Sequence, residues 1–449
     1  MEDTELTITP EDYSLLTDLY QLTMAACYVG EGLDQRQASF ELTVRRLPPG
    51  FGYLIAMGLA QALDYLKKLT FSPAQIESLK TSGIFDHAPQ NFWALLQNGR
   101  FTGDVWAVPE GTAVFPNEPI LRIEAPLWQA QLVETYLLNT INYQTLVATR
   151  AARMRDAAGD EATLLEFGTR RAFSPQASLW AARSALAAGL DATSNVLAAL
   201  KLDRQPTGTM AHALVMALSA TEGTEAQAFT AFHRYFPGAP LLIDTYDTIA
   251  AARELSSHLS DGTGTLAGVR IDSGDLVSLS RQVRDLLPGI AIFASGDLDE
   301  YKILELRAAG ACIDGYGVGT QLVSGSPVNG VYKLVEIDGI PVMKESPGKV
   351  TYPGRKQVFR RFESGVIAQD RLGLISESSR LEMPLLQLVC KQGQPLAKPE
   401  SLSEIAQRTA RSVQSLPIAA RQFEAAQPVS VELSSALFEL TEQTRHRSR

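Results

Sequence analysis

The sequence predicts an α/β protein: a seven-stranded α/β barrel, preceded by a strand-rich α/β domain and followed by further strands. Three observations lead there. Seven short apolar runs without polar alternation occupy the middle of the chain, as strands buried on both faces do. Helical segments separate most of them, often at a spacing of 22 to 29 residues, close to one strand-helix unit. Arg170, Thr209, His212, Asp244, Asp247, Asp272, Asp275, Ser295 and Thr320 all fall at or just after the C-terminal ends of these runs. An open doubly wound sheet also gathers ligands at its carboxyl ends, but near one switch point, whereas a barrel draws polar groups from every strand onto one rim. The barrel is therefore the preferred reading.

In chain order, Leu15, Leu16, Leu19, Leu22, Ala25, Ala26 and Val29 recur at helical spacing, so residues 13–29 read as a helix. Residues 38–44 alternate in polarity and stop at Pro48-Pro49-Gly50, as a half-buried strand does. Residues 103–109 and 119–123 are two more short strands, and residues 127–149 are helical. The barrel runs are 164–167, 193–196, 207–209, 241–244, 268–272, 290–293 and 314–318. Between them, Ser174-Pro175 starts a helix that Gly189 can end, and Pro237-Gly238 and Pro288-Gly289 stop two others. Asp297, with Glu300 three residues on, resembles a capping box for a helix beginning near Leu298. Strand pattern returns at residues 331–337, before the turn Asp338-Gly339. Residues 346–356 read as a cationic loop, residues beyond about 402 as helical, and His446-Arg447-Ser448-Arg449 as a disordered end. The expected domains are 1–150, completed by about 326–400, then 151–325, with a helical extension at 401–449.

Composition narrows the function. A chain of 449 residues that is 45% hydrophobic can bury a large core. Its net charge is −10 and no run of five like charges occurs, which argues against a nucleic-acid partner. Cys27, Cys312 and Cys390 are far apart and form no CxxC pair, so a thiolate zinc site and a disulfide framework are both disfavoured. The start Met1-Glu2-Asp3 is acidic and no apolar stretch of about 18 residues appears. The expectation is a soluble, cytoplasmic protein without a membrane partner.

Of five histidines only His212 follows a strand and a glycine turn and opens a helix, which places it at the rim as a nucleophile, base or ligand, or as a buried histidine packing the turn. No second histidine lies near it in sequence, which disfavours metal chelation. Glu166 ends a buried run just before Arg170 and Arg171; the guanidinium forks suit a carboxylate or phosphate, or Glu166 simply pairs with one of them. Arg270 and Asp272 share one strand face, where they either hold an anionic substrate beside a sugar hydroxyl or form an interior salt bridge. Ser295-Gly296 ahead of a helix and Gly317, Gly319 and Thr320 after the last barrel strand suit phosphate. No GxxxxGK[ST] loop and no dinucleotide fingerprint is present.

With these segments assembled, residues 17 to about 360 strongly resemble the nicotinate phosphoribosyltransferase family. The resemblance rests on Thr17-Asp18-Leu19-Tyr20-Gln21-Leu22-Thr23-Met24, Glu166-Phe167-Gly168-Thr169-Arg170-Arg171-Ala172, Gly208-Thr209-Met210-Ala211-His212, Leu242-Ile243-Asp244-Thr245-Tyr246-Asp247, residues 268–276 and Gly317-Val318-Gly319-Thr320, in the family's order. It implies an irregular seven-stranded α/β barrel packed on an N-terminal α/β domain that strands after the barrel complete. It also implies an ATP-dependent enzyme that joins nicotinate to 5-phosphoribosyl 1-diphosphate, giving nicotinate mononucleotide and diphosphate, with a phosphohistidine at His212.

Carried over, Tyr20, Thr209 and Arg270 contact nicotinate and Thr320 the phosphoribosyl diphosphate; Arg170, Asp272 and Gly319 are further site residues, Arg170 with the nicotinate contacts and Asp272 as a catalytic residue beside His212. Ser295, Gly296 and Gly317 join the phosphoribosyl diphosphate set, and Mg2+ accompanies the phosphates. The resemblance further implies a homodimer in which Tyr20 reaches the barrel of a second subunit. Phosphorylation at the rim is expected to order cationic loops such as residues 349–356. Rival readings are a nicotinamide or quinolinate phosphoribosyltransferase and a non-catalytic sugar-phosphate sensor.

Overall fold

The computed structural model describes residues 6–260, 265–346 and 349–447. The acidic start Met1-Glu2-Asp3, Pro347-Gly348 and the final Ser448-Arg449 lie outside the described residues. Two compact units divide the chain: residues 1–146 with 326–449, and residues 147–325.

The first unit is built on a seven-stranded antiparallel sheet that interleaves segments from both ends of the chain. Its order is Ile340–Pro341, Gly330–Ile337, Gln37–Val44, Pro119–Pro126, Asp104–Ala107, Gln387–Lys391 and Gln394–Pro395. Leu42 in the strand Gln37–Val44 faces Tyr332 on one side and Leu121 on the other, and the Phe40 and Tyr332 rings stack at 5.0 Å. A four-stranded sheet carries Lys356–Glu363 and Val366–Leu374 at its centre. Strand 356–363 escapes a hydropathy reading because charged residues flank Val358 and Phe359 at its buried positions: Lys356 pairs with Glu41 at 2.9 Å and Arg360 with Asp370 at 2.6 Å.

Two expectations change here. The cationic loop expected at 346–356 holds only for residues 352–355: Ser346 and Lys349–Thr351 belong to a hairpin of Lys344–Ser346 with Lys349–Thr351, and Lys356 is buried on Glu41 and the carbonyls of Tyr352 and Gly354. An ammonium held by three oxygens is not available to close over a ligand. The expected disordered end is helical through Arg447, in Ser435–Arg447, with Arg445 paired to Glu345 at 2.9 Å.

The second unit alternates strand and helix: β1 Thr163–Glu166, α1 Pro175–Ala187, β2 Ala192–Thr193, α2 Val196–Lys201, α3 His212–Glu222, α4 Glu225–Tyr235, β3 Leu241–Leu242, α5 Thr248–Ser260, β4 Gly268–Ile271, α6 Leu276–Leu286, β5 Ala291–Ala294, α7 Glu300–Ala308, β6 Gly315–Val318 and α8 Thr320–Val323. All sheet pairings are parallel, in the order β2-β1-β6-β5-β4-β3. The expected strand at 207–209 is not one. Between Pro206 and an exposed Gly208 it has no apolar run to bury, and one bond, Thr207 N–H to the Thr193 carbonyl at 2.9 Å, ties it beside β2. The parallel sheet therefore has six strands, its edges β2 and β3 are not hydrogen-bonded to each other, and the only seven-stranded sheet among the described residues is the antiparallel one. The mixed α/β class holds; a closed seven-stranded barrel is not what the strand pairing gives.

Candidate functional site

Parallel pairing brings the C-terminal ends of the six strands to one edge of the second unit, and most of the residues singled out above lie there. Ile243, just past β3, donates its N–H to the Arg270 carbonyl at 3.1 Å, which sets Asp244 beside the end of β4. Asp244 Oδ2 accepts the Asp272 N–H at 2.9 Å and the Ser273 hydroxyl at 2.6 Å. Its Oδ1 is buried without a hydrogen-bond partner and lies 3.9 Å from His212 Nε2. His212 is the first residue of α3, and its Nδ1 is 3.1 Å from Thr245 Oγ1. The imidazole, 39% exposed, thus presents one nitrogen to a buried carboxylate and the other to a small hydroxyl.

Asp272 follows β4 and accepts the Ser295 hydroxyl at 2.5 Å through Oδ1, so Asp244, Asp272 and Ser295 form one chain of contacts leading away from His212. Gly296 next to it has φ +99, and a Cβ there would sit 2.3 Å from the Asp272 carbonyl oxygen; only glycine fits this approach. The capping expectation needs correction. Asp297 takes φ +48, and the N-cap is Asp299, which accepts the Lys302 N–H at 2.8 Å, so α7 starts at Glu300 and not near Leu298. Both aspartates suit a cap, but Asp297 is used in the turn. Ser295-Gly296 therefore does not abut the free amides of a helix.

Arg270 sits on β4 with its guanidinium 5.8 Å from the centre of the Phe167 ring and Nη2 donating to the Met210 carbonyl at 2.8 Å. Thr209 Oγ1 approaches that same carbonyl at 3.3 Å. Arg270 Nε is buried and has no acceptor. Burial pulls this guanidinium below its usual pKa, while Asp272 and Asp244 oppose the shift and Arg170 adds to it. Among the described residues Arg270 makes no ion pair with Asp272, so the interior salt bridge is absent and one directed donor is left over. Glu166 is not paired with an arginine either: Oε2 accepts the Thr193 hydroxyl at 2.5 Å, Oε1 accepts the Gly168 N–H, and burial raises its pKa. Arg170 is exposed.

Gly317 and Gly319 border Phe167. A Cβ at Gly317 would lie 2.5 Å from the Phe167 ring, and one at Gly319 3.2 Å from the Phe167 carbonyl oxygen. These glycines let the ring that supports Arg270 lie against β6. Thr320 begins α8, and its carbonyl accepts the Ser324 hydroxyl at 2.6 Å. Tyr20 belongs to the other unit, in the first turn of the helix Leu19–Gly30; it is 46% exposed, with its hydroxyl 3.5 Å from Glu134 Oε2. Burial, then Glu134 and Asp18, raise its pKa.

In the sequence Asp244 stands at the rim and Thr245 in the same motif, both without an assigned role, and Glu225 does not stand out. The run Leu241-Leu242-Ile243-Asp244 ends on an acid as residues 268–272 do, which was the available signal. Glu225 opens α4, and its Oε1 is buried without a hydrogen-bond partner. Burial and the carboxylates of Glu254, Asp244 and Asp247 push its pKa up to about 7; nothing local in the sequence marks that gathering. Among the described residues no group of three or more His, Cys, Asp or Glu could hold a metal ion, and no helix is long and apolar enough to cross a membrane.

Comparison with known proteins identifies the family. Residues 15–142 match the nicotinate phosphoribosyltransferase (NAPRTase) N-terminal domain, residues 162–357 the nicotinate phosphoribosyltransferase (NAPRTase) family, and residues 376–441 the nicotinate phosphoribosyltransferase C-terminal domain. The chain is 44% identical over 371 residues to a nicotinate phosphoribosyltransferase of Mycobacterium tuberculosis, covering 80% of this chain and 78% of that one. It is 42% identical over 370 residues to the enzyme of that name from Bacillus subtilis, covering 78% and 73%. The crystal structure of human nicotinic acid phosphoribosyltransferase matches with a TM-score of 0.83 at 29% identity, over 95% of this chain and 99% of that one. Nicotinate-nucleotide pyrophosphorylase from Pyrococcus furiosus, at 24% identity and a TM-score of 0.75 over 92% of this chain and 98% of that one, shares the fold. The chain belongs to the nicotinate phosphoribosyltransferase family.

Proposed function

We propose that this protein transfers the phosphoribosyl group of 5-phosphoribosyl 1-diphosphate to nicotinate, forming nicotinate mononucleotide and diphosphate for NAD salvage, with ATP hydrolysed alongside through a phosphohistidine at His212. Family membership supports the transfer reaction. The observation that carries the ATP step is the buried, partnerless Asp244 Oδ1, 3.9 Å from His212 Nε2. A carboxylate on that side favours the proton on Nε2 and leaves the lone pair on Nδ1, beside Thr245. Nδ1 then attacks the γ-phosphorus of ATP, the bond to the ADP oxygen breaks, and Asp244 stabilises the positive charge that develops on the ring.

In the transfer step the pyridine nitrogen brings its own lone pair, so no general base is needed; its bond to C1 of the ribose forms as the bond to diphosphate breaks. The enzyme positions the ring and offsets charge. Arg270, fixed by Met210 and backed by Phe167, offers its free Nε–H to the ring carboxylate, with Thr209 alongside. Asp272, as a catalytic residue, and Ser295 face the ribose; Ser295, Gly296, Gly317, Gly319 and Thr320 hold the phosphoribosyl diphosphate, and Arg170 joins the nicotinate contacts. Mg2+ bound to the substrate phosphates would offset charge on the departing diphosphate, and Asp272 and Asp244 are the carboxylates of the chain that would hold it.

The second unit is in this reading an irregular α/β barrel, its missing edge bordered by residues 207–209, with domains at 1–150 and 326–400, 151–325 and 401–449. The protein works as a cytoplasmic homodimer in which Tyr20 stacks on nicotinate in the partner's site. Exposed apolar groups on both units support a shared interface: Phe173 at 78%, Leu200 at 66% and Leu19 at 50%. The test is turnover of nicotinate against nicotinamide and quinolinate, with 5-phosphoribosyl 1-diphosphate and with or without ATP. Nicotinate turnover stimulated by ATP is expected; preference for either other ring, or binding without turnover, contradicts the reading.

A further inference from the structure

A groove of about 790 Å3 crosses the first unit between the helix Leu59–Lys68, the strand Gln387–Lys391 and the strap formed by residues 396–400. That volume lies within the range of small-molecule sites. Leu59, Leu63 and Val389 are only partly buried and pack on the core below, and Leu396 on the strap is 55% exposed. Apolar side chains gathered around one concavity offer a face that gains free energy when an apolar body covers it.

With the adjacent Lys68, the lining sets four cations, Lys67, Lys68, Lys398 and Arg408, against three carboxylates, Asp64, Glu110 and Glu400, an excess of one positive charge. Two of the carboxylates are ion-paired, Asp64 with Lys68 at 2.7 Å and Glu400 with Arg408, while Glu110 is buried at the base of the groove and accepts the Gly58 N–H at 2.7 Å. Lys67 on the helix and Lys398 on the strap are exposed, and among the described residues neither has a carboxylate within ion-pair distance. On a chain of net charge −10, two unmatched ammonium groups bordering an apolar groove complement a negative charge.

We propose that this groove binds a small amphipathic anion, an apolar and preferably aromatic body bearing one sulfonate- or carboxylate-type head that Lys67 and Lys398 share. None of these residues belongs to the proposed reaction site, so this site and the transferase reading stand or fall separately. The probe is 8-anilinonaphthalene-1-sulfonate, titrated by fluorescence into the full chain. One saturable site per chain is expected. Exposed ion pairs contribute up to about 1 kcal/mol each, so the K67A/K398A double variant should bind on the order of tenfold more weakly. L396D should lose the site, and turnover of nicotinate should be unchanged in both. The uncharged N-phenyl-1-naphthylamine should bind the double variant as it binds the parent protein. The absence of saturable binding, an unchanged Kd in the double variant, an unaffected L396D, or equal lysine sensitivity for the uncharged probe each overturns the proposal.

Discussion

Replacing Asp244 by Asn tests the coupling to His212 with little change in shape. The amide oxygen can still accept from the Asp272 N–H and the Ser273 hydroxyl, as Oδ2 does now. The negative charge 3.9 Å from His212 Nε2 is lost. A full charge pair at that distance interacts by about 4 kcal/mol at an effective dielectric of 20 and about 1 kcal/mol in bulk water. The carboxylate is buried and the imidazole is 39% exposed, so the true value lies between these limits. That corresponds to a fall of roughly five- to a thousandfold in the rate of phosphoryl transfer to the ring. The amide can also donate to Nε2, which favours the proton on Nδ1 and removes the attacking lone pair. The assay is single-turnover phosphoenzyme formation from ATP labelled at the γ position, with nicotinate affinity measured in parallel. A D244N protein that folds and binds nicotinate normally but forms phosphoenzyme within twofold of the parent rate refutes the reasoning.

Three further outcomes follow from the same geometry. Gly296→Ala places a Cβ 2.3 Å from the Asp272 carbonyl at φ +99 and should cost about 1–3 kcal/mol, read as a Tm fall of roughly 2–4 °C per kcal/mol and a higher KM for 5-phosphoribosyl 1-diphosphate. Arg270→Gln removes a charge-assisted donor and should raise KM for nicotinate on the order of 10- to 100-fold while leaving the poor use of nicotinamide nearly unchanged, by steady-state kinetics. Glu225, held near 7 in the folded protein, contributes stability that is fully present below its unfolded value of 4.5 and is lost as pH rises through about 7. Glu225→Gln should therefore gain stability relative to the parent between pH 7 and 9 and not at pH 5, by on the order of 1 kcal/mol or less because the group is partly solvated, as thermal melts across pH will show.

The parallel sheet was legible because its strands are uninterrupted apolar runs ending in polar residues, as in Leu241-Leu242-Ile243-Asp244. Residues 207–209 misled because their place beside β2 depends on one backbone bond and not on hydrophobic patterning. The strand from Lys356 was hidden for the opposite reason: two of its buried side chains, Lys356 and Arg360, are charged, and the partners that neutralise them, Glu41 and Asp370, are 315 and 10 residues away along the chain. At the candidate site, Arg270 and Asp272 could be placed on one face from the period of a strand, but their partners could not be inferred. Arg270 turned to Met210, Asp272 to Ser295, and Asp244 to His212 through folding contacts that span 60, 23 and 32 residues. The shift in the helix start from Leu298 to Glu300 reflects two aspartates competing for one cap.

Labelling the protein with γ-labelled ATP, with and without His212→Ala, bears most directly on the central claim. Acid-labile, base-stable label on the parent chain and none on the variant is the predicted result. Label of that kind surviving on the variant contradicts His212 as the acceptor, and its absence from an active parent enzyme contradicts the phosphohistidine itself.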